Sequence, residues 1–210
     1  PVFSKVQDDI PRLRSVYKQV MQLVLFIVTP LMMVFAILAK PLTIFLFTEK
    51  WLPMVPIFQI ICVSGVLYPI HLYNLIVLQV KGRSDLFLKL EVIKKVMVTV
   101  VLVITLYFGF YALLWGQLFC SILALFINTH YAGKMLNYSM FSQLKDITPI
   151  FVFSIVMGCV IYALHYLLQE QSNFLQLAVC SLCGGIVYIA LAWLFKFDSI
   201  TDIKNLIIKK

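Results

Sequence analysis

Residues 96–133 read VMVTVVLVITLYFGFYALLWGQLFCSILALFINTHYAG, and no Asp, Glu, Lys or Arg interrupts them. A membrane-spanning helix needs about 20 mostly apolar residues, so this stretch is too long for one helix. We expect it to fold back at Tyr107-Phe108-Gly109-Phe110, because glycine breaks the helical pattern there. The stretch therefore predicts the end of one transmembrane helix and the whole of the next.

Other uncharged stretches of suitable length flank this one on both sides. They cover residues 19–39, 52–80, 147–169 and 171–195. The chain is 62% hydrophobic and only 12% charged, whereas soluble domains usually carry about 25% charged residues. We therefore predict an all-α membrane protein with six transmembrane helices within residues 19–195, surrounded by the lipid bilayer.

The basic residues predict the orientation of these spans. Lys and Arg accumulate on the cytoplasmic side of a membrane. If the six spans alternate in direction, 15 of the 17 basic residues lie on one side, and Lys40 and Lys50 lie on the other. Both ends are therefore expected in the cytoplasm, with an amphipathic segment at residues 1–18 and a tail at 196–210. Because the chain begins at Pro1 and lacks a signal-peptide pattern, we expect it to be part of a longer protein.

The composition argues against several other classes of protein. The net charge is +8, but the basic residues alternate with apolar segments and form no continuous face for nucleic acid. Cys180 and Cys183 have the spacing of a metal-ligand pair without a second pair nearby, so no metal site is expected. No nucleophile–base pair or glycine-rich phosphate loop is visible, and we predict neither catalytic residues nor a cofactor.

A charged cluster at the start of the third span is the first candidate site. It contains Lys89, Glu91, Lys94 and Lys95. Glu91 is spaced to pair with Lys94 or Lys95 on a helix, which leaves a positive surplus. The lysines either extend to lipid headgroups or line a water-filled vestibule that accepts an anionic headgroup such as a diphosphate.

Polar side chains within the second and fourth spans are further candidates for substrate binding. His71 and Asn74 lie one helical turn apart, and Gln117, Ser121 and Asn128 follow in the fourth span. Polar residues at membrane depth often line a substrate path, but they also form hydrogen bonds between helices. The sequence leaves both interpretations open for His71, Asn74, Gln117 and Asn128.

Four motifs in the first half of the chain resemble one family of transporters. They are PVFSKVQDDIPRLR at 1–14, TPL at 29–31, FTEKW at 47–51 and KGRSD at 81–85. Their order and spacing are similar to those of polysaccharide and O-antigen flippases of the multidrug/oligosaccharidyl-lipid/polysaccharide exporter superfamily. Glu49 replaces the glycine that usually precedes the lysine-tryptophan pair. The resemblance is strongest over residues 1–90.

This resemblance implies a two-lobe transporter in the bacterial inner membrane, of which this chain supplies the last six of about fourteen spans. Such a protein carries undecaprenyl-diphosphate-linked oligosaccharide from the inner to the outer leaflet by alternating access. The expected partners are the lipid-linked oligosaccharide, the missing N-terminal lobe, and a polysaccharide polymerase and glycosyltransferases.

Three alternative functions remain open from the sequence. A drug or small-solute exporter of the same superfamily is expected to have acidic residues within its spans, and only Glu91 fits here. A membrane glycosyltransferase or polymerase needs carboxylates or histidines on a sizeable outer loop, whereas the outer loops here are short. A scaffold without transport is the third alternative.

Overall fold

The computed structural model describes residues 3, 8–195 and 197, and within them it is built from helices without a β-strand. A 3₁₀ helix at Glu49–Met54 precedes the third of seven α-helices. The α-helices are α1 (Ile10–Ile37), α2 (Ala39–Leu46), α3 (Val55–Val80), α4 (Ser84–Leu106), α5 (Phe110–Leu136), α6 (Met140–Leu167) and α7 (Asn173–Leu194).

Five of these helices are long and apolar enough to cross a membrane, namely α1, α3 with its preceding 3₁₀ turn, α5, α6 and α7. Helix α4 has 23 residues, which is long enough to span, but its first half carries the Lys89–Lys95 charges. The prediction of an all-α membrane protein with about six spans is confirmed. The predicted span that is not among these five apolar helices is α4, which contains the predicted cationic cluster.

The turn between α4 and α5 lies where the sequence predicted it. Helix α4 ends at Leu106 and α5 begins at Phe110. Gly109 has a φ of 90°, a conformation that residues with a Cβ rarely adopt. The two helices then pack closely, because a Cβ at Gly116 of α5 would lie 2.8 Å from Val101 Cγ1 of α4.

Several element boundaries differ from the sequence prediction. Helix α1 runs without a break from Ile10, so it includes the described end of the predicted amphipathic segment. The rest of that segment before residue 8, apart from residue 3, and the predicted tail, apart from residue 197, lie outside the described residues. Helix α2 occupies a stretch predicted as a loop. Pro41 does not prevent this helix, because it lies in the first turn, where proline is tolerated. Helix α6 begins seven residues early because Lys145 and Asp146 remain helical.

The chain divides into two compact units. The first unit comprises the described residues within 1–21 and 66–146, and the second comprises the described residues within 22–65 and 147–210. In the first unit, Leu13, Tyr17, Val77, Leu90 and Leu136 are almost completely buried. These side chains come from α1, α3, α4 and α5, so this unit has an apolar core of its own.

In the first unit, polar side chains near the start of α1 contact the turn between α5 and α6 and the first turns of α6. Arg14 Nη1 donates a hydrogen bond to the main-chain oxygen of Asn137 at 3.2 Å. The Arg14 guanidinium also lies 4.4 Å from the centre of the Tyr138 ring. Lys18 Nζ lies 2.9 Å from Asp146 Oδ1, and the Tyr138 hydroxyl donates to the same carboxylate. Burial is the main cause that raises the pKa of Tyr138 above its usual value, and the hydrogen bond with Asp146 raises it further.

In the second unit, α7 compensates for a proline in α1. Pro30 lacks the N–H that would bond to the main-chain oxygen of Phe26 one turn earlier. The hydroxyl of Tyr188 in α7 donates to that oxygen at 3.0 Å. The rings of Phe26 and Tyr188 also lie 4.9 Å apart. The cost of the proline inside α1 is therefore reduced by a side chain that is distant in sequence.

Candidate functional site

A cavity of about 380 Å³ lies in the first unit between α3, α4 and α5. This volume is in the range of small-molecule binding sites. Its polar lining comes from all three helices and consists of His71, Glu91, Lys94, Lys95, Gln117 and Ser121. The structure therefore brings together four of the predicted site residues, which are His71, Lys94, Lys95 and Gln117.

The α4 side of the cavity carries a positive surplus. Lys94 Nζ forms an ion pair with Glu91, and the Lys94 side chain is only 14% exposed. Lys95 lines the cavity as well, and in the part of the chain that the structure describes it forms no ion pair. The cavity lining thus contains two lysines and one glutamate. This arrangement favours a bound anion.

On the α3 side of the cavity, His71 connects α3 to α5 through both of its ring nitrogens. Nε2 lies 3.0 Å from Ser121 Oγ, and Nδ1 lies 3.3 Å from Asn128 Nδ2. A neutral imidazole satisfies both contacts when Nδ1 accepts from Asn128 and Nε2–H donates to Ser121. Asn128 is fully buried, and its Oδ1 has no hydrogen-bond partner among the residues that the structure describes.

Asn74 lies one turn from His71, but it belongs to a different group of contacts. The Tyr17 hydroxyl of α1 donates to Asn74 Oδ1 at 2.7 Å, and Asn74 Nδ2 donates to Thr129 Oγ1 at 3.0 Å. Tyr17 also lies 3.1 Å from Gln143 Oε1. Asn74 is completely buried and is absent from the cavity lining. Its contacts are therefore those of a residue that holds α1, α3 and α5 together.

Lys89 is the second predicted site residue that does not reach the cavity. It is exposed and is absent from the cavity lining. Lys94 follows five residues later, which corresponds to about 140° around an α-helix, so the two side chains point to different sides of α4. The sequence grouped Lys89 with the other lysines by proximity along the chain alone.

Sequence reasoning missed the contribution of α1 to this unit. Tyr17 lies in an amphipathic pattern in which tyrosine counts as an apolar residue, so the pattern does not indicate a role for its hydroxyl. Tyr17 is only 2% exposed, and its burial and its contact with Asn74 come from packing between helices. Ser121 had a sequence signal as a polar residue within a span, and the structure places it at His71.

The KGRSD motif at 81–85 forms a local turn between α3 and α4. Gly82 has a φ of 67°, in the left-handed region that favours glycine. Arg83 forms two hydrogen bonds with the carboxylate of Asp85, from Nε at 3.0 Å and from Nη2 at 2.9 Å. These bonds raise the pKa of the Arg83 guanidinium above its usual value. The motif therefore forms the turn that leads into the helix that carries the cavity lysines.

The similarity to a protein family is strongest at the N-terminal end of the chain. A family described as polysaccharide biosynthesis protein matches residues 1–56. This region contains three of the four motifs on which the resemblance was based. The family match and the motif resemblance therefore point to the same group of proteins.

Two curated relatives extend this similarity. A protein named as an uncharacterized membrane protein in the cps region of Klebsiella pneumoniae is 29% identical over 122 residues, covering 58% of this chain and 25% of that protein. Lipopolysaccharide biosynthesis protein WzxC of Escherichia coli K12 is 30% identical over 94 residues, covering 45% of this chain and 19% of WzxC. The chain thus spans about a quarter or less of these relatives.

No solved structure matches the chain. The identification rests on the sequence comparisons, and the helical architecture agrees with a multi-pass membrane protein. The resemblance predicted from the motifs is confirmed, and the chain is similar to the membrane proteins of the polysaccharide biosynthesis flippase family.

Proposed function

We propose that this chain belongs to a transporter that moves undecaprenyl-diphosphate-linked oligosaccharide units across the bacterial inner membrane for surface polysaccharide synthesis. The chain forms one lobe, and a second lobe of the same protein completes an alternating-access pathway. Both ends of the chain face the cytoplasm, in agreement with the distribution of basic residues. The protein transports its substrate without chemically modifying it.

The observation that carries this proposal is the cavity between α3, α4 and α5, to which α4 contributes two lysines. A cation at the centre of a membrane-spanning helix costs about 2.5–3.5 kcal/mol on insertion scales. Glu91 pairs with Lys94, so Lys95 remains for another partner. The diphosphate of a lipid-linked sugar supplies negative charge that neutralises this surplus. Similarity to WzxC, which is named as a lipopolysaccharide biosynthesis protein, supports a substrate that takes part in polysaccharide synthesis.

A complementation experiment separates headgroup binding from simple anchoring of the lysines in the lipid headgroup layer. The double variant Lys94→Gln/Lys95→Gln is expressed in cells that lack the endogenous protein, and surface polysaccharide and membrane abundance are measured together. Headgroup binding predicts lost polysaccharide at normal abundance, and recovery in Lys94→Arg/Lys95→Arg, which retains both charges. Lys89→Gln is the matched control, because this lysine lies outside the cavity lining.

Normal polysaccharide from the double glutamine variant would contradict the proposed binding role and leave the lysines as membrane anchors. Loss of output from the Lys89→Gln control at normal abundance would also contradict it, because any lysine of α4 would then be equally necessary.

A further inference from the structure

We propose that His71 binds a proton when an anionic headgroup occupies the cavity, so that headgroup binding and protonation of the imidazole favour each other. The inference deepens the proposed function, on which it rests. His71 lies at the boundary between the cationic lining of the cavity and the buried amide of Asn128. The imidazole is therefore a titratable group in direct contact with the volume that the headgroup would enter.

The partners of His71 are suited to both protonation states of the ring. A neutral imidazole has one donor and one acceptor, and a protonated imidazole has two donors. The Ser121 hydroxyl at 3.0 Å from Nε2 both donates and accepts. The Asn128 amide lies next to Nδ1 of His71. It can donate to that nitrogen from Nδ2 or, after a half turn of the amide, accept from it at Oδ1. Asn128 is fully buried, and within the described part of the chain its Oδ1 has no partner, so an acceptor is available for the second ring proton.

The charges around His71 make its protonation sensitive to an anion. Glu91, Lys94 and Lys95 of α4 line the same cavity, together with Cys120 of α5 and Tyr68 of α3. From α1, the Tyr17 hydroxyl reaches Asn74, one turn beyond His71.

Among these groups, Lys94 and Lys95 place positive charge on the lining that His71 shares, and positive charge nearby opposes a second one on the imidazole. A bound diphosphate offsets that repulsion. Because linkage is reciprocal, a protonated His71 must in turn bind the anion more tightly.

The other two histidines provide a comparison within the same chain. His130 lies on α5, is exposed, and its ring contacts Tyr131 at 5.6 Å. His165 lies on α6 in the second unit. Neither of them lines the cavity that contains Lys94 and Lys95. His130→Gln is therefore a matched control for His71→Gln.

Proton uptake on binding tests this inference. The full-length protein in detergent is titrated calorimetrically with farnesyl diphosphate near pH 6.5, in buffers of different ionisation enthalpy. Wild type, His130→Gln, His71→Gln and His71→Asn are compared, so that protons taken up by the probe itself cancel. We expect wild type and His130→Gln to take up about half a proton more per probe bound than the two His71 variants.

A spectroscopic measurement on the wild-type protein removes the dependence on variants. With imidazole carbons isotopically labelled, the probe is expected to raise the midpoint pH of one histidine signal by about one unit, which corresponds to a tenfold change in proton affinity. The signal is assigned to His71 by its absence from a His71 variant.

The outcomes distinguish the inference from the proposed function. Binding of the probe with equal proton uptake in all four proteins, or with no histidine signal responding in wild type, would overturn the linkage and leave the headgroup site standing. Failure of wild type to bind the probe would overturn the headgroup site and the linkage together.

Discussion

The hydroxyl of Tyr188 donates a hydrogen bond of 3.0 Å to the main-chain oxygen of Phe26, the oxygen that Pro30 leaves without its helical partner. The two side chains are 162 positions apart in sequence. This contact couples α7 to the turn of α1 that contains Pro30, within the second unit. It explains how a proline in the middle of a spanning helix is accommodated, because the freed main-chain oxygen finds a new donor.

This relationship predicts a specific dependence between two substitutions. Tyr188→Phe should lower the free energy of unfolding by about 1–3 kcal/mol, because a buried carbonyl loses its donor. In a Pro30→Ala background the same substitution should cost less, because alanine restores the main-chain N–H. Thermal unfolding of the full-length protein in detergent measures both effects. Tyr162→Phe is the control, since Tyr162 is 65% exposed. Equal costs of Tyr188→Phe in the two backgrounds would contradict this account.

Close packing of α4 against α5 predicts a second stability effect. Gly116→Ala should destabilise the protein by about 1–3 kcal/mol through overpacking, because the new Cβ would lie 2.8 Å from Val101 Cγ1 and 2.9 Å from Thr105 Cγ2. Gly185→Ala is the matched control, since apart from its chain neighbours and the backbone of its own helix no described heavy atom lies within 4 Å of its added Cβ. Val101→Ala should recover part of the loss. Equal thermal stability of the two glycine variants would show that the helices are further apart.

The buried contact between Tyr17 and Asn74 predicts a third effect. Tyr17→Phe should cost about 1–3 kcal/mol, because Asn74 Oδ1 would remain buried without a donor. Tyr166→Phe is the control, since Tyr166 is 67% exposed. Unfolding in detergent, followed by the loss of monodisperse protein on heating, measures the difference. If the two tyrosine variants unfold at the same temperature, the hydroxyl of Tyr17 has no stabilising role.

The orientation of the chain is tested by labelling from outside the cell. In a background without the native cysteines, a membrane-impermeant thiol reagent should label Trp51→Cys and Gln171→Cys. The same reagent should not reach Arg83→Cys or Lys145→Cys until the membrane is permeabilised. This pattern follows from the distribution of basic residues across the six spans. Labelling of Arg83→Cys in intact cells would reverse the predicted topology.

The sequence predicted those features that depend on local pattern. An uncharged stretch longer than one span required a turn, and Gly109 was the residue able to form it. The charges of α4 were visible as an interruption of apolar sequence. Helical spacing predicted that Glu91 pairs with Lys94 or Lys95, and the structure contains the pair with Lys94. Both inferences needed only the length and periodicity of a helix.

Features that depend on which helices meet were not predictable from the pattern. His71 and Asn74 are three residues apart, so their side chains point in directions about 60° apart around an α-helix. This difference in direction is enough to place His71 in the cavity and to bury Asn74 against Tyr17. The bond from Tyr188 to Phe26 likewise requires knowledge of helix packing, since nothing near either residue in the sequence indicates the other.

Translocation by the purified protein is the most direct measurement of the central claim. The full-length protein is reconstituted into liposomes with a fluorescent undecaprenyl-diphosphate-linked oligosaccharide, and transfer between leaflets is followed by protection from an impermeant quencher. We predict transfer by wild type and by Lys89→Gln, and its loss in Lys94→Gln/Lys95→Gln at equal reconstitution. Transfer by the double variant at the wild-type rate would contradict the role of the cationic cavity, and no transfer by the wild type would contradict the proposed function itself.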